Sequence, residues 1–243
     1  MIQFFAPDIE TTLTLPESDS QHCVKVLRKQ PGDLIEVIDG KGTRFTCRLM
    51  EAHQKRARIE ILDQTPVPPF WNGKITIAVA PTKHLDRMEW LVEKLTETGF
   101  DTLIPLQCRW SERKEIKTER LEKIAVSAMK QSLKGILPEI ASMTPFRKFI
   151  ESCRDIPQKF IAHCDRETER HLLSTEYRPG TDTVIAIGPE GDFSPEEVAM
   201  ALDAGFRPVS LGEARLRTET AALLACHTLH VVQELTNNQK QPD

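Results

Sequence analysis

Two hydrophobic rhythms divide the chain. Up to about residue 65, apolar and polar positions alternate in short runs. Gly32-Asp-Leu-Ile-Glu-Val-Ile-Asp-Gly40 predicts a strand closed at Asp39-Gly40, and Thr43-Arg-Phe-Thr-Cys-Arg-Leu-Met50 predicts its hairpin partner. Arg56-Ala-Arg-Ile-Glu-Ile-Leu62 predicts a further strand. Short strands with turn signals, plus one helix around residues 18–28, predict a small barrel over residues 1–70. Gln64-Thr-Pro-Val-Pro-Pro-Phe-Trp71 carries three prolines and is the linker candidate. After Gly73 the rhythm changes. Apolar strand runs at 74–80, 102–106, 159–163, 183–187 and 207–211 alternate with amphipathic stretches at 86–98, 118–134, 194–205 and 217–235. That alternation predicts a parallel sheet covered by helices on both faces, over residues 71–243. The tail from Asn237 is polar and is expected to fray.

Composition adds limits. A chain of 243 residues, 40% hydrophobic and 28% charged, buries a substantial core as a globular protein. No apolar run is long enough to span a bilayer, and no basic-then-apolar leader opens the chain, so a cytoplasmic, membrane-free location is expected. Six cysteines stand at 23, 47, 108, 153, 164 and 226 with no Cys-x-x-Cys pair. Free thiols in a reducing compartment are expected, and no metal site. His227 and His230, three apart, lack a completing ligand and read as packing residues. The net charge of −4 does not announce nucleic-acid binding, but residues 109–134 hold eight Lys/Arg against four Glu. A phosphate-binding patch and a solvated helix face laced with ion pairs both fit that segment.

Two motifs carry the chemistry. The strand run Thr183-Val-Ile-Ala-Ile187 empties into Gly188-Pro-Glu-Gly-Asp-Phe-Ser194, whose glycines suit positive φ or close approach to a ligand. Ser194-Pro-Glu-Glu197 then carries a helix N-cap, proline at N1 and the glutamate of a capping box. The run Arg207-Pro-Val-Ser-Leu211 leads into Gly212-Glu-Ala-Arg-Leu-Arg-Thr-Glu-Thr-Ala221. Two such strand-end loops, close in sequence, point to one ligand pocket at the carboxyl edge of an α/β sheet.

These motifs resemble the C-terminal signature of the RsmE family, SPOUT-class methyltransferases acting on N3 of a uridine in bacterial 16S ribosomal RNA. His22-x-x-x-Val26-Leu-Arg28, Lys83-x-x-Asp-Arg-Met-Glu-Trp-Leu-Val-Glu-Lys-Leu-Thr-Glu97 and Gln131-Ser132 with Pro138 fall in the family's order, so the resemblance spans most of the chain. It implies a PUA-like β-barrel followed by an α/β domain with a deep trefoil knot, S-adenosyl-L-methionine as methyl donor, and a homodimer acting on the small ribosomal subunit. By motif position it implies a donor pocket of Gly188, Pro189, Glu190, Gly191, Leu211, Gly212, Leu216, Arg217 and Thr218, and His163, at the end of a predicted strand, is expected to line it. RNA contacts would fall to His22, Lys25 and Arg28 on one helical face, and to Lys83, Arg109, Ser111 and Arg113 after strand ends. Trp90 and Trp110 offer rings for base stacking.

N3 methylation also requires loss of the imide proton. A carboxylate at Glu219 suits a proton acceptor, and a guanidinium at Arg217 suits charge developing on the uracil carbonyls. Glu219 equally suits the first turn of a helix, where a carboxylate complements the macrodipole. The sequence departs from the family pattern at Gln3, where arginine is usual, at Asp192, where a second glycine is usual, at Thr98, and at Glu213-Ala-Arg215. Two other functions fit the same residues: a knotted RNA 2′-O-ribose methyltransferase, and a non-catalytic RNA-binding or ribosome-assembly factor.

Overall fold

The computed structural model describes residues 2–164 and 169–238. They fall into two compact units: the residues up to Phe70 with Ala125–Leu137, and Trp71–Ile124 with the described residues from Pro138 onward.

The first unit is built on a four-stranded sheet in the order Gln3–Phe5, Leu34–Ile38, Thr43–Glu51, Arg58–Pro66. The first pair is parallel and the other two are antiparallel. Alternation puts Phe4, Val37, Phe45, Cys47, Leu49 and Ile59 into one buried cluster. The hairpin forms where Asp39-Gly40 predicted it, because Asp39 Oδ1 accepts the amides of Lys41 and Thr43 at 2.7 and 3.0 Å. The proline-rich linker is shorter than its composition predicted, since Gln64-Thr65-Pro66 continues the last strand. Proline is tolerated there because this is an edge strand.

The expected helix over 18–28 breaks into α-helix Glu17–Gln21 and π-helix His22–Val26, and Arg28 sits at φ +53°. His22, Lys25 and Arg28 therefore do not share the regular face that their spacing predicted. Ala125–Leu137 is tied to this unit by Lys130 Nζ, 2.6 Å from Asp19 Oδ1, which also accepts the Phe5 amide at 3.1 Å.

The second unit carries the predicted parallel sheet. Its strand order is His171–Leu172, Arg207–Ser210, Gln158–Ala162, Thr183–Ile187, Ile75–Val79, Thr102–Gln107, Glu139–Ile140, and every pair is parallel. Thr183–Ile187 is buried along its whole length, which explains its unbroken apolar sequence. Helices Leu85–Thr98, Thr118–Gln131, Pro195–Asp203 and Thr218–Asn238 follow the predicted periodicity within a few residues, whereas the short helix Phe146–Ser152 was not predicted. Of the tail expected to fray, the residues beyond 238 lie outside the described residues. The capping box forms as read: Ser194 Oγ accepts the Glu197 amide and Glu197 Oε2 accepts the Ser194 amide. His230 is a packing residue, with Nε2 2.7 Å from the Gly99 carbonyl and its ring edge-on to Trp71.

Candidate functional site

In a parallel sheet every strand ends on the same edge, and the loops leaving that edge are brought together. Three of them are joined directly here. Thr82 and Lys83 follow Ile75–Val79, Cys108–Arg113 follows Thr102–Gln107, and Gly188–Asp192 follows Thr183–Ile187. Glu190 accepts the Lys83 amide at 3.1 Å, and Arg113 donates to the Lys83 and Thr82 carbonyls at 2.8 and 3.4 Å. Glu197 Oε1 accepts the Arg109 amide at 2.8 Å, and the Arg109 guanidinium lies 3.0 Å from Glu196. Ser111 Oγ accepts the Cys108 amide at 3.0 Å. Lys83, Arg109, Ser111 and Arg113, predicted as one RNA-facing set, thus stand around one edge, although Ser111 spends its hydroxyl closing a turn. The Glu196 carboxyl is held below its usual range, first by its own backbone amide, then by Ser194 and by Arg109.

Of the two uses expected of the glycines in the Gly188–Asp192 turn, positive φ or close approach, neither Gly188 nor Gly191 takes the first. Among its residues the left-handed backbone is at Asp192, φ +67°. Gly188 is needed for space: a Cβ there would sit 3.1 Å from the buried Phe193 ring. Asp192 pins the turn. Its carboxylate accepts the Cys164 amide at 2.7 Å and the Phe193 amide at 2.8 Å, and its own amide donates to the Pro189 carbonyl at 2.9 Å. An aspartate stands there without disrupting the loop because Asp tolerates the left-handed region better than most residues. The carboxylate also fastens the end of Gln158–Ala162, beside the buried His163.

The second motif loop reaches the first through Thr218, whose buried hydroxyl donates to the Gly188 carbonyl at 3.2 Å. Gly212 has φ +112° and open space where a Cβ would stand. The amides of Glu213 to Leu216 form no hydrogen bond with the described residues. Glu219 is buried next to Thr218, with Oε1 3.8 Å from Arg87 Nε. Its other oxygen, Oε2, is buried and has no hydrogen-bond partner among the described residues. Arg87 was given no role from the sequence, although its place within the Lys83–Glu97 motif was the available signal. Arg217 and Leu216 lie on the loop just before, Arg217 exposed. Leu211 lines a depression of about 380 Å3 with His227, Val231 and Leu235 of the last helix, and none of Gly188–Gly191 lines it. His22, Lys25 and Arg28 belong to the other unit.

The chemistry of the edge fits a polar, cationic methyl donor. Free backbone amides suit its carboxylate and adenine, side-chain-free glycine leaves room, and the unpartnered Glu219 oxygen suits a donor or a positive charge. Among the described residues no three His, Cys, Asp or Glu are grouped to hold a metal ion, and no helix is long and apolar enough to cross a membrane.

Comparison with known proteins agrees. A probable rRNA-methyltransferase from Porphyromonas gingivalis is 45% identical, with a TM-score of 0.92 over 97% of this chain and 100% of that one. A ribosomal RNA small subunit methyltransferase E from Neisseria gonorrhoeae, solved bound to S-adenosyl methionine, is 28% identical, with a TM-score of 0.83 over 96% and 98%. A Synechocystis protein of the same description is 29% identical over 93% of this chain and 75% of its own length. The family model described as RNA methyltransferase domain matches residues 70–230, and that described as RNA methyltransferase PUA domain matches residues 15–62. The chain belongs to the RNA methyltransferase family, with a SPOUT-type α/β domain and a PUA-like domain.

Proposed function

We propose that the protein transfers a methyl group from S-adenosyl-L-methionine to N3 of one uridine in 16S ribosomal RNA, as a cytoplasmic homodimer. The observation that carries this reading is the Thr218–Gly188 hydrogen bond, which joins the two motif loops into one site with the unpartnered Glu219 oxygen beside it. The relatives named above supply the donor and the RNA class.

Residues 1–70 form the RNA-binding domain and residues 71–243 the methyltransferase domain. A trefoil knot in the latter fits the placement of Arg207–Ser210 beside Gln158–Ala162, followed by a loop that returns to Gly188. The homodimer is supported by apolar side chains left exposed on the last helix, Leu224, Val231 and Leu235, and by Trp90 on Leu85–Thr98.

The bound donor supplies an electrophilic methyl group on a sulfonium. Gly188, Pro189, Glu190, Gly191, Leu211, Gly212, Leu216, Arg217, Thr218 and His163 hold and orient it, largely through main-chain groups. Glu190 acts by fixing the Lys83 loop. Arg217 faces the uracil carbonyls. Glu219 accepts the N3 proton while Arg87 holds its carboxylate at Oε1. Much of the acceleration comes from alignment of donor and base. Lys83, Arg109 and Arg113 steer phosphates, with Ser111 shaping their loop, and His22, Lys25 and Arg28 dock RNA on the first domain. The left-handed Arg28 and the π-turn beside it are the kind of strained backbone found at functional surfaces.

Incubation with labelled donor and unmodified small ribosomal subunits, followed by nucleoside analysis, tests the reading: N3-methyluridine is expected, and 2′-O-methylated nucleoside or no label refutes it. With saturating donor, Arg217→Ala and Glu219→Gln should each slow single turnover at least about tenfold; near-normal rates would remove both from the chemistry.

A further inference from the structure

Tryptophan is expensive to leave in water, yet Trp110 is 46% exposed, whereas Trp71 is buried with its Nε1 donating to Asp101 Oδ2 at 2.9 Å. The Trp110 indole N–H donates to none of the described residues. The loop that carries it is held on both sides: the Arg109 amide by Glu197, the Cys108 turn by Ser111, and Arg113 by the Thr82 and Lys83 carbonyls. A rigid backbone therefore presents a free indole face. Its position is also specific. Trp110 Cβ lies 3.5 Å from where a Gly191 side chain would begin, so the ring emerges against the turn that the donor site is built on.

The surrounding charge selects an occupant. Arg109 is paired with Glu196, but Arg113 spends its guanidinium on neutral carbonyls and forms no ion pair with the described residues. Lys114 and Lys117 form no ion pair with the described residues, and the Lys83–Glu112 pair is exposed and 3.6 Å apart. An aromatic face set among uncancelled positive charges matches single-stranded RNA, whose bases stack on the ring while phosphates meet the cations. An apolar protein partner would leave those cations facing a surface without charge to meet them.

We propose that Trp110 is a stacking platform for an unpaired base of the RNA substrate, holding the strand against the donor loop. This rests on the reading of the protein as an RNA methyltransferase and adds to it a binding residue outside the two motif loops. The ring fixes the height of the strand above Gly191, and Arg113 and Lys114 hold the adjoining phosphates.

Two measurements test the proposal independently of product formation. Titration of a mixed-sequence single-stranded 12-nucleotide RNA should quench tryptophan emission in the wild type, because bases quench a stacked indole, and the quench should vanish in Trp110→Phe, which keeps Trp71 and Trp90. With unmodified small subunits, Trp110→Ala should raise KM about tenfold or more, from the usual worth of one stacked base, while Trp110→Phe stays within a few-fold of wild type. Donor affinity by calorimetry should not change in either variant. A quench that survives in Trp110→Phe overturns the proposal. So does an unchanged KM in Trp110→Ala, or a Trp110→Ala protein whose association state shifts by sedimentation, which would place the indole between two copies. If Trp110→Ala does not fold, the wild-type and Trp110→Phe titrations still decide. A Trp110-dependent quench without any methylation of subunits would sustain the stacking role and refute the proposed function.

Discussion

Replacing Asp192 separates two contributions that this residue makes at once. Its backbone lies at φ +67°, and its carboxylate accepts two amides, from Cys164 at 2.7 Å and Phe193 at 2.8 Å. Hydrogen bonds to a charged acceptor are worth about 1.5–3 kcal/mol each when buried, and about 1 kcal/mol is reasonable at this half-exposed position. A side chain bearing Cβ adds about 1–2 kcal/mol of strain in the left-handed region, a cost that glycine avoids and that Asp and Asn partly offset. Asp192→Ala loses both bonds and adds the part of the strain that Asp offsets, about 3 kcal/mol in all. Asp192→Gly loses both bonds without strain, about 2 kcal/mol. Asp192→Asn keeps one acceptor oxygen and left-handed tolerance, about 1 kcal/mol. Urea unfolding midpoints should therefore rank wild type, Asn, Gly, Ala in falling order, with donor affinity following the same order by calorimetry. The Ala–Gly gap is the decisive quantity. If alanine is as stable as glycine, position 192 is not held left-handed, and the account of the turn is wrong.

Removing one member of the Lys130–Asp19 pair should be costly, because Asp19 is 5% exposed and would be left with the Phe5 amide and the Ser18 hydroxyl as its partners. Lys130→Met is expected to lower stability by about 2–3 kcal/mol in chemical denaturation, and a loss below about 0.5 kcal/mol would contradict that role. Burial pushes the thiols of Cys23 and Cys153 up to about 11 and that of Cys47 to about 12, and raises Cys108 and Cys226 as well. The unfolded chain ionises these groups first, so their stabilisation is complete below about pH 8.5 and is lost as pH rises through the folded values. Unfolding midpoints should fall between about pH 9 and 12, and five Cys→Ser or Cys→Ala changes should flatten that slope. In native protein at neutral pH, alkylation should label the exposed Cys164 and spare those five, as mass mapping of the modified peptides would show.

Local physics made much of the fold legible. Unbroken apolar runs such as Thr183–Ile187 must be buried on both faces, and Ser194-Pro-Glu-Glu197 supplies the donors and acceptors that start a helix wherever it is placed. The two motif loops were readable for the same reason. Misreadings arose where a neighbour in space overrode the local pattern. Helix 18–28 gives way to a π-turn and a left-handed Arg28, and Gln64–Pro66 becomes strand because Thr43–Glu51 offers it a free edge.

Sequence alone determined the central strands and the longer helices of the second unit, and that two glycine turns follow two strands. Tertiary structure alone decided that Asp192, rather than a glycine, carries the left-handed bend, because its carboxylate finds the Cys164 amide 28 positions earlier in the chain. It likewise decided that Thr218 closes on Gly188, that Arg87 faces Glu219, and that an exposed indole stands at Gly191. Periodicity records which side of an element faces the core. Which partner each polar group meets depends on distances set by the whole sheet, and no local pattern encodes those.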